Sequence, residues 1–112
     1  PQDYTDISGK TVSVQDMDLC ARVISVFKCH KACPLTAASA ISVAAQVPGT
    51  IVRELAKQAN GQSVRIGHPS GVMTMFPYVD DGTKPLEEIQ VSGVAVQRTA
   101  RVIMEGTAYI PR

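Results

Sequence analysis

"PLTAASAISVAAQ", residues 34–46, is small and apolar on almost every side. A helix with a polar stripe lies at a surface, whereas one without a polar face is buried all round. Pro34 suits a first helical turn, where its missing N–H is not needed. Pro48 and Gly49 in "VPGT" stop the helix. The many Ala and Ser residues allow close backbone approach, so the segment reads as a central helix with a sheet wrapped around it.

Upstream, Met17, Cys20, Val23, Ile24 and Phe27 fall at steps of three and four, which predicts an amphipathic helix over Gln15–Cys29 with Ser13 or Asp16 as its cap. Downstream of Gly49 the period becomes two. Strands are expected at Thr50–Glu54, Ser63–Gly67, Val72–Tyr78, Ile89–Val96, Thr99–Glu105 and Thr107–Ile110. The turns between them are "ANGQ", "HPSG", "DDGTKP" and Gly106, and Gly93 marks a bulge or a close approach. Two helices followed by antiparallel strands is an α+β fold: a curved, mostly antiparallel sheet around an apolar helix. With no repeat or linker, residues 1–112 read as a single domain.

The 112 residues carry a net charge of +1, so no electrostatic field recommends nucleic acid or an anionic membrane as a partner. Two Phe, three Tyr and no Trp provide no platform for stacking bases. The most apolar run, Leu35–Val47, is shorter than the roughly 20 residues that a spanning helix needs. Three cysteines cannot close a disulfide framework, and "PQDYTDISGK" has no apolar signal core. Both point to reduced thiols in a cytoplasmic protein. The chain starts on Pro1, as a fragment or processed product would.

Candidate sites cluster at two places. The start of the central helix can receive a carboxylate on its free N–H groups, with the Thr36 hydroxyl and the nearby Lys31 and His30 in support. The turn in "RIGHPSGVM", residues 65–73, holds His68 and Ser70 beyond what a turn requires, and Ser70 and Gly71 offer backbone N–H groups. A sheet wrapped around the helix brings this turn to the helix end, forming a second clamp for a polycarboxylate. Cys29, His30 and Cys33 have a spacing that zinc uses, but no second cysteine pair completes a four-ligand set. Cys33 stands before a helix start, where a thiol pKa is lowered, although Pro34 removes one donor there. Arg98 and Arg101, three apart, would point to opposite faces of a strand, and one of them reads as the partner of Glu105 or Glu54 in a structural ion pair.

"PQDY", the Asp16–Ser25 segment, "HKAxPLTAA", "VPGT", "IGHPSGVM" and "RTARVIMEG" stand in an order that resembles the PrpF family. That family includes 2-methylaconitate isomerases, aconitate Δ-isomerases and 4-oxalomesaconate tautomerases. The likeness covers nearly the whole chain but only the C-terminal part of the family's usual length. It implies one half of a diaminopimelate epimerase-like fold, in which two similar halves enclose a cleft. The implied chemistry is a cofactor-free shift of a proton and a double bond in an aconitate-like tricarboxylate. The acid/base pair would lie in the missing N-terminal half-domain. No catalytic residue and no metal ligand is then expected here; Thr36, Ser70, Gly71, His68 and Lys31 would bind substrate. The rival expectation is a non-catalytic binding or self-assembly module, a homo-oligomer joined through the exposed half-cleft.

Overall fold

The computed structural model describes residues 1–57, 62–80 and 84–111. Its centre is a meander of three strands: β6 (Val64–His68), β7 (Gly71–Val79) and β8 (Val91–Val96). A short strand β3 (Leu19–Cys20) adds to β6 in parallel, giving a mixed four-stranded sheet in the order β3-β6-β7-β8. Two separate two-stranded ribbons complete the strands: β1 (Tyr4–Thr5) with β2 (Thr11–Val12), and β4 (Ile24–Ser25) with β5 (Lys28–Cys29). Helix α1 (Leu35–Ala44) packs chiefly on β7, and a one-turn helix α2 (Ile51–Leu55) follows it. The α+β class is as expected.

Alternation along the strands explains the core. Val64 and Ile66 of β6 face Met75 and Met73 of β7, and Val96 of β8 is paired with Met75. Val64, Ile66 and Met75 are fully buried together with Ala38 and Ala45 of the α1 segment. Burying each such large side chain contributes about 1.5–3 kcal/mol. Ala38, Ser42 and Ala45 let the helix lie close on the sheet, as small residues should. The Ser42 hydroxyl is satisfied by donating to Ser39 O at 2.8 Å. Gly93 sits beside a real irregularity, because the register jumps from Tyr78–Gly93 to Val79–Val91.

Four expectations are corrected. Residues 15–29 are not a helix. Ser13 caps a single 3-10 turn at Val14–Asp16, and β3, β4 and β5 follow. The three-and-four spacing there is coincidental: Met17, Asp18 and Leu19 are buried in succession, while Ile24 and Phe27 face solvent. The β-branched Val23, Ile24 and Val26 favour extended backbone, and Val26 and Phe27 form a tight turn with positive φ at both positions.

Thr50–Glu54 is the start of α2 rather than a strand. The Thr50 hydroxyl oxygen accepts from Arg53 N at 3.1 Å, a side-chain N-cap that the period-two pattern hid. Residues 99–110 form no strand, since they have no neighbouring strand to complete a ladder; Val102, Ile103, Met104 and Ile110 are exposed. Finally, α1 is covered on one face only, with Leu35, Thr36 and Ala40 open to solvent. The turns expected over 59–62 and 80–85 fall largely outside the described residues.

Candidate functional site

The hairpin between β6 and β7 is a two-residue turn, Pro69-Ser70, flanked by the pair His68–Gly71. Gly71 has φ of 123°, a conformation that a residue with a Cβ rarely adopts. Three contacts hold the turn. The Tyr4 hydroxyl lies 2.7 Å from His68 O and 2.6 Å from Gly71 O, bridging the carbonyls on both sides of it. Ile7 N donates to Pro69 O at 2.8 Å. The Ser70 hydroxyl donates to Lys31 O, which ties the turn to the segment leading into α1. The turn and the helix start are thus neighbours, as the wrapped-sheet reading required.

His68 ends the core-facing row of β6 and is only 6% exposed. Ser70 N donates to His68 Nδ1 at 3.2 Å, which places the ring proton of the neutral form on Nε2. Burial, aided by the positive charge of Arg22, pushes the His68 pKa below its ordinary value of 6.5. The imidazole is therefore a neutral N–H donor near pH 7. Because the unfolded chain binds this proton more tightly, folded stability is complete above pH 6.5 and falls as pH drops below it. A thermal-melt series from pH 7.5 to 5 is expected to show this loss in the wild type and a smaller one in His68→Gln.

An open cavity of about 600 Å³ lies at this end of the sheet, on the face that carries α1. His68, Cys33 and Leu35 form one side. Met73 of β7, with its neighbours Val72 and Thr74, and Val96 of β8 line its sheet side, and Gln97, Arg98 and Thr99 line it beyond the end of β8. Cys33 is 4% exposed, and burial raises its thiol pKa, the opposite of an activated nucleophile. Thr36 is exposed on the first turn of α1, one residue from the lining. Lys31 is exposed, with its carbonyl engaged by Ser70. Pro34 stands at the cap position of α1 and makes no side-chain hydrogen bond to the first N–H groups, as a Ser or Asp there would.

Of the five binding candidates, then, only His68 lines the cavity; Gly71 and Thr36 are chain neighbours of the lining residues Val72 and Leu35, and Ser70 and Lys31 are bonded to each other outside the lining. Cys29, His30 and Cys33 are not gathered. His30 Nδ1 lies 2.9 Å from Ala32 O and 3.1 Å from Ala32 N, and among the described residues no three His, Cys, Asp or Glu side chains converge as metal ligands.

Two features escaped the sequence reading. Tyr4 bridges the turn from a position more than 60 residues away, and its ring also stacks under Arg22 at 4.7 Å. Arg98 is the second. It makes no ion pair among the described residues, where the pairs are Arg65–Asp18 and Lys84–Asp80. The structural role expected for it and for Arg101 is not observed. The available signal was the alternation Val94, Val96, Arg98, which carries the core-facing row of β8 out into the cavity.

Comparison with known proteins supplies the remaining evidence. The sequence profile of the family described as "PrpF protein" matches residues 1–111. The 2-methyl-aconitate isomerase of Shewanella oneidensis is 39% identical over 115 aligned positions, which cover all of this chain and 28% of that protein. The 3-methylitaconate isomerase of Eubacterium barkeri is 40% identical over 114, again across all of this chain and 28% of its own length. A crystal structure of methylitaconate-delta-isomerase superposes with a TM-score of 0.68 at 34% identity, covering 88% of this chain and 26% of that one. The chain therefore spans little more than a quarter of the relatives it matches.

Proposed function

This chain belongs to the PrpF family, and on that premise we propose that it is the C-terminal, substrate-holding part of an isomerase acting on a methyl-substituted, unsaturated polycarboxylate. The observation that carries the reading is the likeness to named isomerases along the entire chain. The geometry supports it: a cavity with a neutral imidazole, a guanidinium and an uncapped helix start suits carboxylate groups.

The reaction moves one proton and one double bond. A base removes a C–H proton next to a carboxylate, the electron pair delocalises into that carboxylate as an enolate-like dianion, and a proton returns at the far carbon of the allyl unit. Atoms and charge balance without a cofactor. Thr36, Gly71 N–H, His68 and Lys31 bind and orient the carboxylates, and Ser70 holds two of these residues in place, giving its N–H to His68 Nδ1 and its hydroxyl to Lys31 O. Donors fixed before the reaction stabilise the developing charge more than the dispersed charge of the ground state. The proton-moving groups belong to the N-terminal half-domain, which completes a diaminopimelate epimerase-like pair of halves around the cleft.

The test is an assay of 2-methylaconitate, methylitaconate and aconitate isomerisation, followed by solvent deuterium incorporation. The full-length protein that carries these residues is expected to turn over at least one of the three, and residues 1–112 alone none. Turnover by the short chain would overturn the assignment of the acid/base pair to the other half; inactivity of the full-length protein on all three would overturn the reading itself.

A second reading rests on the exposed Ile24, Val26 and Phe27 and the apolar 102–110 segment. These surfaces suit self-association of a non-catalytic module. A monomeric sedimentation profile of residues 1–112 at high concentration would dismiss it.

A further inference from the structure

We propose that Arg98, with the Thr99 hydroxyl beside it, is a carboxylate anchor of this cavity, facing the His68 side and separate from the hairpin turn. The topology carries the argument. β6 and β8 both pair with β7, Ile66 opposite Met73 and Val96 opposite Met75. Side chains two residues apart on a strand share a face. Continuing past Ile66 leads to His68, and continuing past Val96 leads to Arg98. Val96 stands level with Val64 across Met75, so the β8 row runs toward the hairpin end of the sheet, and Arg98, just past the strand, falls one residue pair short of His68. Both side chains line the one cavity there.

An arginine at the end of an apolar row ordinarily answers an acid. Here Asp18 is engaged by Arg65 and Asp80 by Lys84, and neither Glu54 nor Glu105 pairs with Arg98 among the described residues. No acidic side chain lines the cavity. The guanidinium therefore brings uncompensated positive charge to a concave surface of about 600 Å³ whose other polar residues, His68, Thr74, Gln97 and Thr99, are neutral. Its planar fork of donors matches a carboxylate in a bidentate pair, which a lysine cannot reproduce. Leu35, Met73 and Val96 supply the apolar remainder, suited to the carbon skeleton between two carboxylates.

The assignment deepens the polycarboxylate reading above and rests on it for the identity of the ligand. It is tested on the full-length protein with two independent readouts: calorimetric binding of tricarballylate, a saturated tricarboxylate that cannot isomerise, and steady-state kinetics with whichever acid is turned over. Arg98→Gln is expected to weaken tricarballylate binding by about 10- to 100-fold, the range for loss of a charge-assisted pair. KM is expected to rise by the same factor with kcat little changed, because an anchor binds ground state and transition state alike. Arg98→Lys is expected to recover part of the loss. Arg101→Gln, which removes an exposed charge outside the cavity lining, is the control and is expected to leave binding unchanged. The thermal midpoint of Arg98→Gln is expected to match wild type, since Arg98 is exposed.

Tricarballylate affinity within twofold of wild type in Arg98→Gln, an equal loss in Arg101→Gln, or no binding by the wild type would each overturn the anchor. Wild-type turnover combined with an unaltered KM in Arg98→Gln would overturn it while leaving the isomerase reading intact. Arg98-dependent binding without turnover of any of the three acids would sustain the anchor and sink the isomerase reading.

Discussion

Alanine at position 66 is expected to destabilise the folded chain by about 2–5 kcal/mol, the range for deleting a large buried aliphatic side chain. Ile66 has no exposed surface and sits in the middle of the sheet, paired with Leu19 on one side and Met73 on the other. Truncation leaves a void among Leu19, Met73 and the sheet-facing side of α1, and backbone already hydrogen-bonded on both sides cannot collapse into it. Chemical denaturation is expected to show a lower midpoint with an unchanged slope. Ile66→Val, which removes one methylene, is expected to cost about 0.5–1.5 kcal/mol. A loss below 1 kcal/mol in the alanine variant would mean that the sheet does not hold this register.

Asp18→Ala is the second large effect, with an expected cost of about 2–4 kcal/mol. The Asp18 carboxylate is nearly buried and makes bonds of two kinds. It accepts Arg65 N at 2.8 Å, and it accepts Arg65 Nη2 at 2.7 Å with Nε at 3.2 Å. Breaking a fully buried pair costs about 3–5 kcal/mol. The Arg65 side chain is 37% exposed, so water takes over part of the guanidinium and lowers the figure. What water does not replace is the bond to Arg65 N. Asp18→Asn keeps an oxygen for that N–H and is expected to recover about 1 kcal/mol. Equal losses in the two variants would show that the charge, rather than the backbone contact, holds β3 on the sheet.

Legibility in the sequence followed the range of the contacts involved. The β6–β7 hairpin and α1 were readable because their signals are local: alternation around "HPSG", and an Ala-rich run bounded by Pro34 and Gly49. Residues 15–29 were misread because buried Met17 falls in step with Cys20, Ile24 and Phe27, which are exposed, and the series imitates a helical stripe. Only the pairing of Leu19 with Ile66 distinguishes the cases, and that contact lies across the fold. The 99–110 segment is rich in strand-forming Val102, Ile103, Tyr109 and Ile110, yet a strand needs a neighbour and these residues have none among the described residues. At the site, the turn and its polar surplus were visible, while the burial that neutralises His68 and the emergence of Arg98 opposite it arise only when three strands are laid side by side.

The parallel docking of β3 on β6 has a consequence for how the chain reaches this structure. Hairpins between β6, β7 and β8 close over short loops, but a parallel neighbour must be reached by a crossover. Here everything from Ala21 to Ser63, including both helices, intervenes between the paired strands. Closing a long loop is entropically slow to be rewarded, so contacts of high sequence separation form late. The meander is the part able to nucleate, α1 settles on it, and β3 seals the edge last. Tyr4, reaching the hairpin from still farther back in the chain, belongs to the same late class by its sequence separation. The side of the cavity that holds His68 is thus built by the earliest contacts and fastened by the latest.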